Sequence, residues 1–185
     1  MQLARVSAIV VSVLACVSAG PTVKAKEAKD KAATSITVSF GTGNNNATMG
    51  NTPNHHVLPQ EFKVRITRAR KLDGTVKIVP ATVNFSVAGL HWIWVYKDGV
   101  SLDDVRINIP ASGMFVNYET SPSNVLVKGI DPLAATTLPL SSAQNRIETI
   151  AFDTPGTYLI ICNLRVHLND GMYAWVKVVD DDDID

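Results

Sequence analysis

Residues 156–178 have the sequence GTYLIICNLRVHLNDGMYAWVKV, and this stretch is the most informative one about the fold. Its first six and last six residues are rich in β-branched and aromatic side chains, which predicts the two strands of a hairpin. Between them, Cys162, His167 and Met172 follow one another at spacings of five. A thiolate, an imidazole and a thioether are therefore expected on one short loop at the end of the hairpin.

These three side chains are a distinctive set of metal ligands. Thiolate and thioether suit Cu(I), imidazole suits both oxidation states of copper, and zinc sites rarely use a thioether. A trigonal site of two histidines and one cysteine with a weak axial methionine needs one more histidine. The chain has four histidines, so the remaining candidates are His55, His56 and His91.

His91 is the preferred fourth ligand. It follows Gly89 at the break between two predicted strands, and loop ends of this kind gather at one pole of a β-sandwich. A second use for Gly89 would be to let a backbone carbonyl approach the metal. His55 and His56 are adjacent on an extended segment, so they point to opposite faces and at most one can join the same metal. The pair could instead pack near the site or form a weak, exposed Cu(II) site.

The remainder of the chain predicts many short strands separated by Gly and Pro turns. No apolar face recurs at helical spacing over more than a few turns, which favours an antiparallel all-β sandwich or barrel. An irregular insertion at about 101–145 is expected to contain short strands or turns. The predicted strands are 35–40, 60–68, 81–87, 92–96, 147–152, 157–162 and 173–179.

Residues 1–25 resemble a secretory signal peptide, with an early Arg5, an apolar run and then small residues. The run is too short for a spanning helix. Cleavage is expected after Ala19 or Ala25; an alternative is a lipoprotein signal in which Cys16 is acylated. The remaining predicted segments are a linker at 26–34, one domain at 35–179 and a solvated acidic tail at 180–185.

Charge and cysteine content narrow the function classes. Seventeen basic and seventeen acidic residues balance, so no broad electrostatic attraction to nucleic acid is expected. Removal of the signal leaves Cys162 as the single cysteine, and a lone cysteine in an exported protein is either reactive or ligated. No nucleophile elbow of a hydrolase is present.

The hairpin resembles the ligand hairpin of the cupredoxins, the blue copper proteins. In those families a strand reaches a Cys, a His follows a few residues on, and a Met closes the loop before the last strand. The resemblance covers about residues 35–179 and implies a cupredoxin-like Greek-key β-sandwich. It also implies one copper ion per chain, with His91, Cys162 and His167 as equatorial ligands and Met172 as axial ligand.

The residues beside the ligands refine this resemblance. Copper enzymes of this fold would need a histidine beside the cysteine to reach a second copper, but Ile161 and Asn163 flank Cys162. Cupredoxins commonly have Asn or a similar polar residue just after the first histidine, where this chain has Trp92. Asn163 is a candidate substitute donor, either to the thiolate or across the two ligand loops.

The function implied is a periplasmic or otherwise exported electron carrier rather than an enzyme, without a membrane span. Its expected partners are transient redox proteins, and the chain is expected to be a monomer. Electrons would leave through His167, with Val166, Leu168 and Leu90 as a small apolar docking patch. One alternative is copper delivery, with Met49 and the pair His55-His56 taking part. Another is a metal-free structural sandwich.

Overall fold

The structure is a computed structural model, and it describes residues 32–41, 55–134 and 145–180. All of them belong to one compact unit, Lys31–Asp185. The predicted signal peptide, most of the linker, Met49 and residues 181–185 of the predicted tail lie outside the described residues.

Strands dominate the part of the chain that is described. The strands are β1 (Ser35–Phe40), β2 (Val57–Leu58), β3 (Glu61–Arg65), β4 (Thr67–Arg70), β5 (Val76–Val79), β6 (Ala81–Ala88), β7 (Ile93–Tyr96), β8 (Val125–Lys128), β9 (Asn145–Phe152), β10 (Gly156–Cys162) and β11 (Tyr173–Val179). The helices are α1 (Leu102–Ile107) and α2 (Arg165–Asn169).

Two sheets enclose the main hydrophobic core. One has the order β2-β1-β6-β9 and the other β3-β11-β10-β7-β8, while β4 and β5 form a separate hairpin. Val38 and Phe85 of the first sheet share one buried cluster with Val64, Ile160 and Val176 of the second. The predicted all-β sandwich is therefore confirmed. Its sheets are mixed rather than purely antiparallel, because β1 pairs with β6 and β3 with β11 in parallel.

Strand β10 is buried on both faces, and this arrangement positions the cysteine. Ile160 and Cys162 belong to the core between the sheets, whereas Leu159 and Ile161 belong to a second cluster on the other face. A strand covered on both sides has a continuous apolar run instead of alternation. Cys162, the last residue of β10, therefore lies in the core at one end of the sandwich.

The insertion after β7 covers the outer face of the five-stranded sheet. Val105 of α1 and Val116 join Trp94 and Leu159 in the second cluster. The strand expected within the insertion is present as β8, but α1 was not predicted, because a six-residue helix is too short to show helical periodicity. Its N-terminus is a capping box in which the Ser101 hydroxyl accepts a hydrogen bond from the Asp104 N–H (3.0 Å).

No helix among the described residues has the length and apolar character needed to cross a membrane.

Two further expectations were wrong. The strand predicted at 60–68 is interrupted at Ile66. Its N–H still donates to the Val179 carbonyl at the end of β11 (3.0 Å), but from Thr67 onward the chain forms β4, which pairs with β5. Asp180 was assigned to the solvated tail, but it is buried and accepts hydrogen bonds from Arg68 Nε (2.8 and 3.0 Å). Both corrections reflect partners distant in sequence.

Candidate metal centre

Three elements bring the predicted donors together at one end of the sandwich. His91 lies in the loop that crosses from β6 in one sheet to β7 in the other, Cys162 ends β10, and His167 lies in α2. Cys162 Sγ is 3.5 Å from His167 Nδ1 and 3.9 Å from His91 Nδ1. The two Nδ1 atoms are 3.0 Å apart. Among the described residues, these three form a potential metal-binding group.

The spacing of these donors fits one metal ion. With metal–nitrogen distances of about 2.0 Å and metal–sulfur distances of about 2.3 Å, trigonal donors lie about 3.5 Å from one another. The three observed distances, 3.0, 3.5 and 3.9 Å, bracket that value. An ion can therefore lie between the donors without a rearrangement of the loops. The soft thiolate and the two imidazoles match copper in chemistry as well as in spacing.

Met172 is held beside these donors by its backbone. Its carbonyl accepts a hydrogen bond from the Cys162 N–H (3.0 Å), and its own N–H donates to the His167 carbonyl (2.9 Å). The side chain is fully buried. The residue predicted as axial ligand is thus bonded through its main chain to Cys162 and His167, and its buried side chain belongs to the same core cluster as Cys162.

Burial sets the protonation of the metal-free site. It lowers the pKa of His91 from 6.5 to about 3, with smaller contributions from the nearby His167 and His55. Burial likewise lowers the pKa of His167 to about 4. Both imidazoles are therefore neutral at pH 7 and can donate a lone pair. Burial raises the pKa of the Cys162 thiol to about 11, so this group carries its proton until a metal replaces it.

Copper loading should therefore depend on pH through a single proton. At pH 7 we expect the release of about one proton per ion bound, because the thiol must ionise and the imidazoles are already neutral. The apparent affinity should rise about tenfold per pH unit between pH 6 and 9. Titration in weak buffer with a pH indicator measures the release, and competition with a chelator measures the affinity. Release of two or more protons would contradict the neutral state of the histidines.

Backbone groups supply the hydrogen bonds that stabilise the thiolate. The backbones of Trp92 and Leu164 lower the pKa of Cys162, opposing the effect of burial. The Asn163 N–H also donates to the Trp92 carbonyl (2.7 Å), which ties the two ligand loops together. The link expected from a polar residue after the first histidine is thus made by main-chain atoms, which any residue at position 92 can provide. The Asn163 side chain bonds Asn117 instead, in both directions at 2.9 Å.

Two glycines make room for the His91 ring. A Cβ at Gly41 would lie 2.7 Å from His91 Nε2 and would also collide with the Ala88 carbonyl, and one at Gly89 would lie 3.0 Å from Nε2. The Gly89 carbonyl accepts a hydrogen bond from the His91 N–H (3.0 Å), so its role is to shape this turn. An approach of this carbonyl to the metal stays a prediction. Gly41 was missed, because nothing in the sequence relates it to His91.

His91 Nε2 is buried and has no hydrogen-bond partner of normal geometry among the described residues. The Ala88 backbone nevertheless lies close enough to raise the pKa of the ring slightly. The ring is therefore oriented mainly by the close packing around it, with Nδ1 directed at Cys162 and His167.

Replacement of Gly41 with alanine should disturb this packing. Gly41 has φ +90°, and Gly74 provides a matched control with φ +82° and no described atom within 4 Å of an added Cβ. Gly74→Ala should cost only the left-handed backbone strain, about 1–2 kcal/mol. Gly41→Ala should cost more in the free energy of unfolding and should also weaken copper binding. Chemical denaturation and chelator competition measure the two effects; equal losses in both variants would contradict the steric role.

A buried ion pair supports the His91 loop and was also missed. Arg146 Nη2 donates to the His91 carbonyl (2.7 Å), and Arg146 Nε donates to Glu148 Oε1 (2.7 Å). The other oxygen of Glu148 accepts from the Ile130 N–H (3.1 Å). Only 7% of each side chain is exposed. Charged residues on a strand predict an exposed face, and only the fold shows that the loop at Gly129 and Ile130 covers them.

The sequence leaves the roles of the adjacent histidines His55 and His56 open. In the structure His55 lies at the site and His56 is exposed. The His55 ring stacks on the His167 ring, with centroids 3.9 Å apart and planes 25° apart. His55 Nδ1 is 2.5 Å from Asp170 Oδ2. Packing near the site was one of the alternatives for this pair, and the structure confirms it for His55.

Comparison with known proteins gives remote structural similarity only. No protein-family model matches the sequence, and no curated protein matches it. A reduced auracyanin from Roseiflexus castenholzii is similar to this chain at 22% identity and a TM-score of 0.45, covering 80% of this chain and 98% of that one. Auracyanin A, a "blue" copper protein of Chloroflexus aurantiacus, has 16% identity and a TM-score of 0.42, with coverages of 78% and 98%. Plastocyanin from Dryopteris crassirhizoma has 15% identity and a TM-score of 0.39, with coverages of 78% and 100%. These sequence identities and TM-scores are too low to indicate a function, so the function is inferred from the site itself.

Proposed function

We propose that this chain is an exported, mononuclear type 1 copper protein of the cupredoxin kind, and that it carries electrons by cycling between Cu(I) and Cu(II). The observation that supports this is the buried group of His91 Nδ1, His167 Nδ1 and Cys162 Sγ, with separations of 3.0 to 3.9 Å. In this proposal these three residues are the equatorial ligands of one copper ion, and Met172 is the axial ligand.

The bound copper would supply the one-electron couple, and the chain keeps the donors in place around it. His91 lies in the buried loop between β6 and β7, and Cys162 ends β10 of the packed sandwich, so both are held in one arrangement for both oxidation states. The backbone of Trp92 and Leu164 acts on the sulfur, and such hydrogen bonds tune the potential of a copper–thiolate site. Water is excluded because Cys162 is fully buried and His91 is only 2% exposed.

His167 is the least buried of the three donors and is the proposed route for electrons. Val166 beside it is 57% exposed, and Leu90 is half-buried. Leu168, also predicted for the docking patch, is fully buried in the second cluster, so that part of the prediction was wrong. Met114 is 58% exposed, and its carbonyl accepts from the Arg165 N–H (2.8 Å), so it can take the place of Leu168. A patch of this size suits a transient partner, since redox encounters bury little surface.

Absorption spectroscopy tests the proposal. Purified protein loaded with Cu(II) should show an intense thiolate charge-transfer band in the visible, which disappears on reduction and returns on reoxidation without loss of metal. A colourless Cu(II) form would overturn the assignment. Loss of copper during one redox cycle would remove the electron-carrier role while leaving the metal site.

Copper delivery is the second candidate, and the position of His55 is the observation that favours it. An imidazole 3.9 Å from the His167 ring stands at the least buried side of the site, where a metal would enter or leave. If delivery is the function, copper should exchange readily with a chelator, and His55→Ala combined with His56→Ala should slow the exchange while the band persists. Slow exchange with rapid, reversible redox cycling supports the carrier.

Export rests on the composition of residues 1–25 and on the single cysteine that their removal leaves. Expression of the full chain with its leader, followed by mass measurement of the mature protein in the exported fraction, tests this part. Cleavage after Ala19 or Ala25 supports a plain signal peptide. An acylated Cys16 supports the lipid-anchored alternative.

A further inference from the structure

The least buried ligand of the site is covered by a second imidazole. The rings of His55 and His167 are nearly parallel, with centroids 3.9 Å apart and planes at 25°. The His55 and His91 rings are perpendicular, with centroids 6.1 Å apart and planes at 90°. His55 therefore packs against both histidines of the proposed ligand set, nearly parallel to one ring and perpendicular to the other.

Both ends of this contact are fixed. Asp170, whose Oδ2 is 2.5 Å from His55 Nδ1, is the C-cap residue of α2, so the helix that carries His167 also carries the anchor for His55. On the other side, His55 lies two residues before β2, which pairs with β1. The His56 carbonyl accepts a hydrogen bond from the Gly41 N–H (2.9 Å), which holds the backbone next to His55.

The stacked orientation argues against His55 as a ligand of the same ion. The lone pairs of an imidazole lie in the plane of its ring. Because the His55 and His167 planes are nearly parallel and the ring centroids are 3.9 Å apart, an ion in the plane of His167 lies outside the plane of His55. The Nδ1 atom of His55 is moreover directed to Asp170. His55 can support His167, but it cannot replace it.

His167 needs such support more than the other donors. It lies in a helix of only five residues that begins without a side-chain cap from Leu164. His91 and Cys162, by contrast, are buried in or beside the sandwich core. Groups that contact a metal ligand from outside fix its orientation, usually by a hydrogen bond. In this chain the outer group acts through a ring stack.

This inference rests on the proposed function. We propose that His55, anchored by Asp170, is a positioning residue that covers the outer face of His167 and holds its Nδ1 toward Cys162, which slows the loss of copper. The stack acts on the metal only through His167. Its removal should therefore change copper retention more than the stability of the fold.

Three variants distinguish the effect of the ring stack on copper retention from the effect of the rest of the loop. His55→Ala removes the ring, His55→Phe restores a stacking ring without the bond to Asp170, and His56→Ala is the control at the exposed neighbour. Copper-loaded protein is mixed with excess chelator and metal loss is followed. We expect His55→Ala to lose copper about 10- to 100-fold faster than the parent, since outer-shell partners have effects of this size. His55→Phe should recover most of the loss, and His56→Ala should match the parent.

A measurement on metal-free protein gives an independent readout. The ring current of the stacked His55 imidazole should change the NMR chemical shifts of the His167 ring protons. This change should be absent in His55→Ala and present in His56→Ala. The inference is overturned if the shift is unchanged in His55→Ala, or if that variant retains copper as long as His56→Ala does. It is also overturned if His55→Ala loses copper more slowly than the parent, the result that delivery would give.

Failure of the inference can be told from failure of the proposed function. If the parent protein shows the thiolate band and His55→Ala behaves as the parent, only the role of His55 is removed. If the parent binds no copper, the proposed function and the inference fall together. Thermal unfolding of all three variants in the metal-free state checks that each is folded.

Discussion

Replacement of Cys162 with serine is expected to abolish the visible band of the Cu(II) protein. That band requires a thiolate bonded to copper, and a serine hydroxyl is a hard oxygen donor that does not ionise at neutral pH. Cys162 is fully buried and lies 3.5 and 3.9 Å from the two imidazole nitrogens. The smaller oxygen should fit the same space, so the fold is expected to persist while copper affinity falls. Absorption spectra and metal analysis of the purified variant measure both changes.

Met172→Gln is the matched control for this experiment. Glutamine is close to methionine in size and serves as a weak axial ligand in copper sites, so the variant should keep its copper and its band but change its reduction potential. Spectra recorded side by side then distinguish loss of the thiolate from general damage to the buried loop. An intense band that survives in Cys162→Ser would contradict the assignment of Cys162 as the thiolate ligand.

Replacement of Glu148 with glutamine is expected to cause the second large effect, a loss of about 3–5 kcal/mol in the free energy of unfolding. The change removes one charge of a pair in which each side chain is only 7% exposed. It leaves the Arg146 guanidinium in the interior without the charge of its buried carboxylate partner. Because Arg146 also donates to the His91 carbonyl (2.7 Å), the copper site should lose affinity as well. Denaturant unfolding of the metal-free protein measures the stability.

Glu119→Gln provides the control for this prediction. Glu119 forms an ion pair with Lys128, in which the two side chains are 35% and 45% exposed. Exposed pairs contribute little to stability, so the same chemical change should have little effect there. If both variants lose the same free energy of unfolding, burial of the Arg146–Glu148 pair does not explain the loss in Glu148→Gln.

The candidate metal donors of the hairpin could be predicted because the evidence for them is local. Cys162, His167 and Met172 lie within eleven consecutive residues, and the strands on either side show their character in composition alone. The prediction of His91 required one further observation, the break between two strands at Gly89. The structure brings His91, Cys162 and His167 together, while copper as the ion and the roles of these three residues and Met172 as its ligands remain proposals.

The errors share a physical cause. Leu168, Asp180 and the end of the strand at Ile66 were each assigned from neighbours in sequence. Each is determined by a distant partner, namely the second hydrophobic cluster, Arg68 and the end of β11. The identity of a charged or apolar residue on a short element does not indicate which surface, distant in sequence, will cover it.

The donor groups of the candidate site and the class of fold could be predicted from the amino-acid sequence, because donor type and strand periodicity depend on residues a few positions apart. The surroundings of the donors depend on the tertiary structure. They include the glycines that admit the His91 ring, the ion pair behind its loop and the imidazole stacked on His167. Gly41 and Glu148 lie 50 and 57 residues from His91 in the chain. Such contacts arise when two sheets close on each other, and no local pattern encodes them.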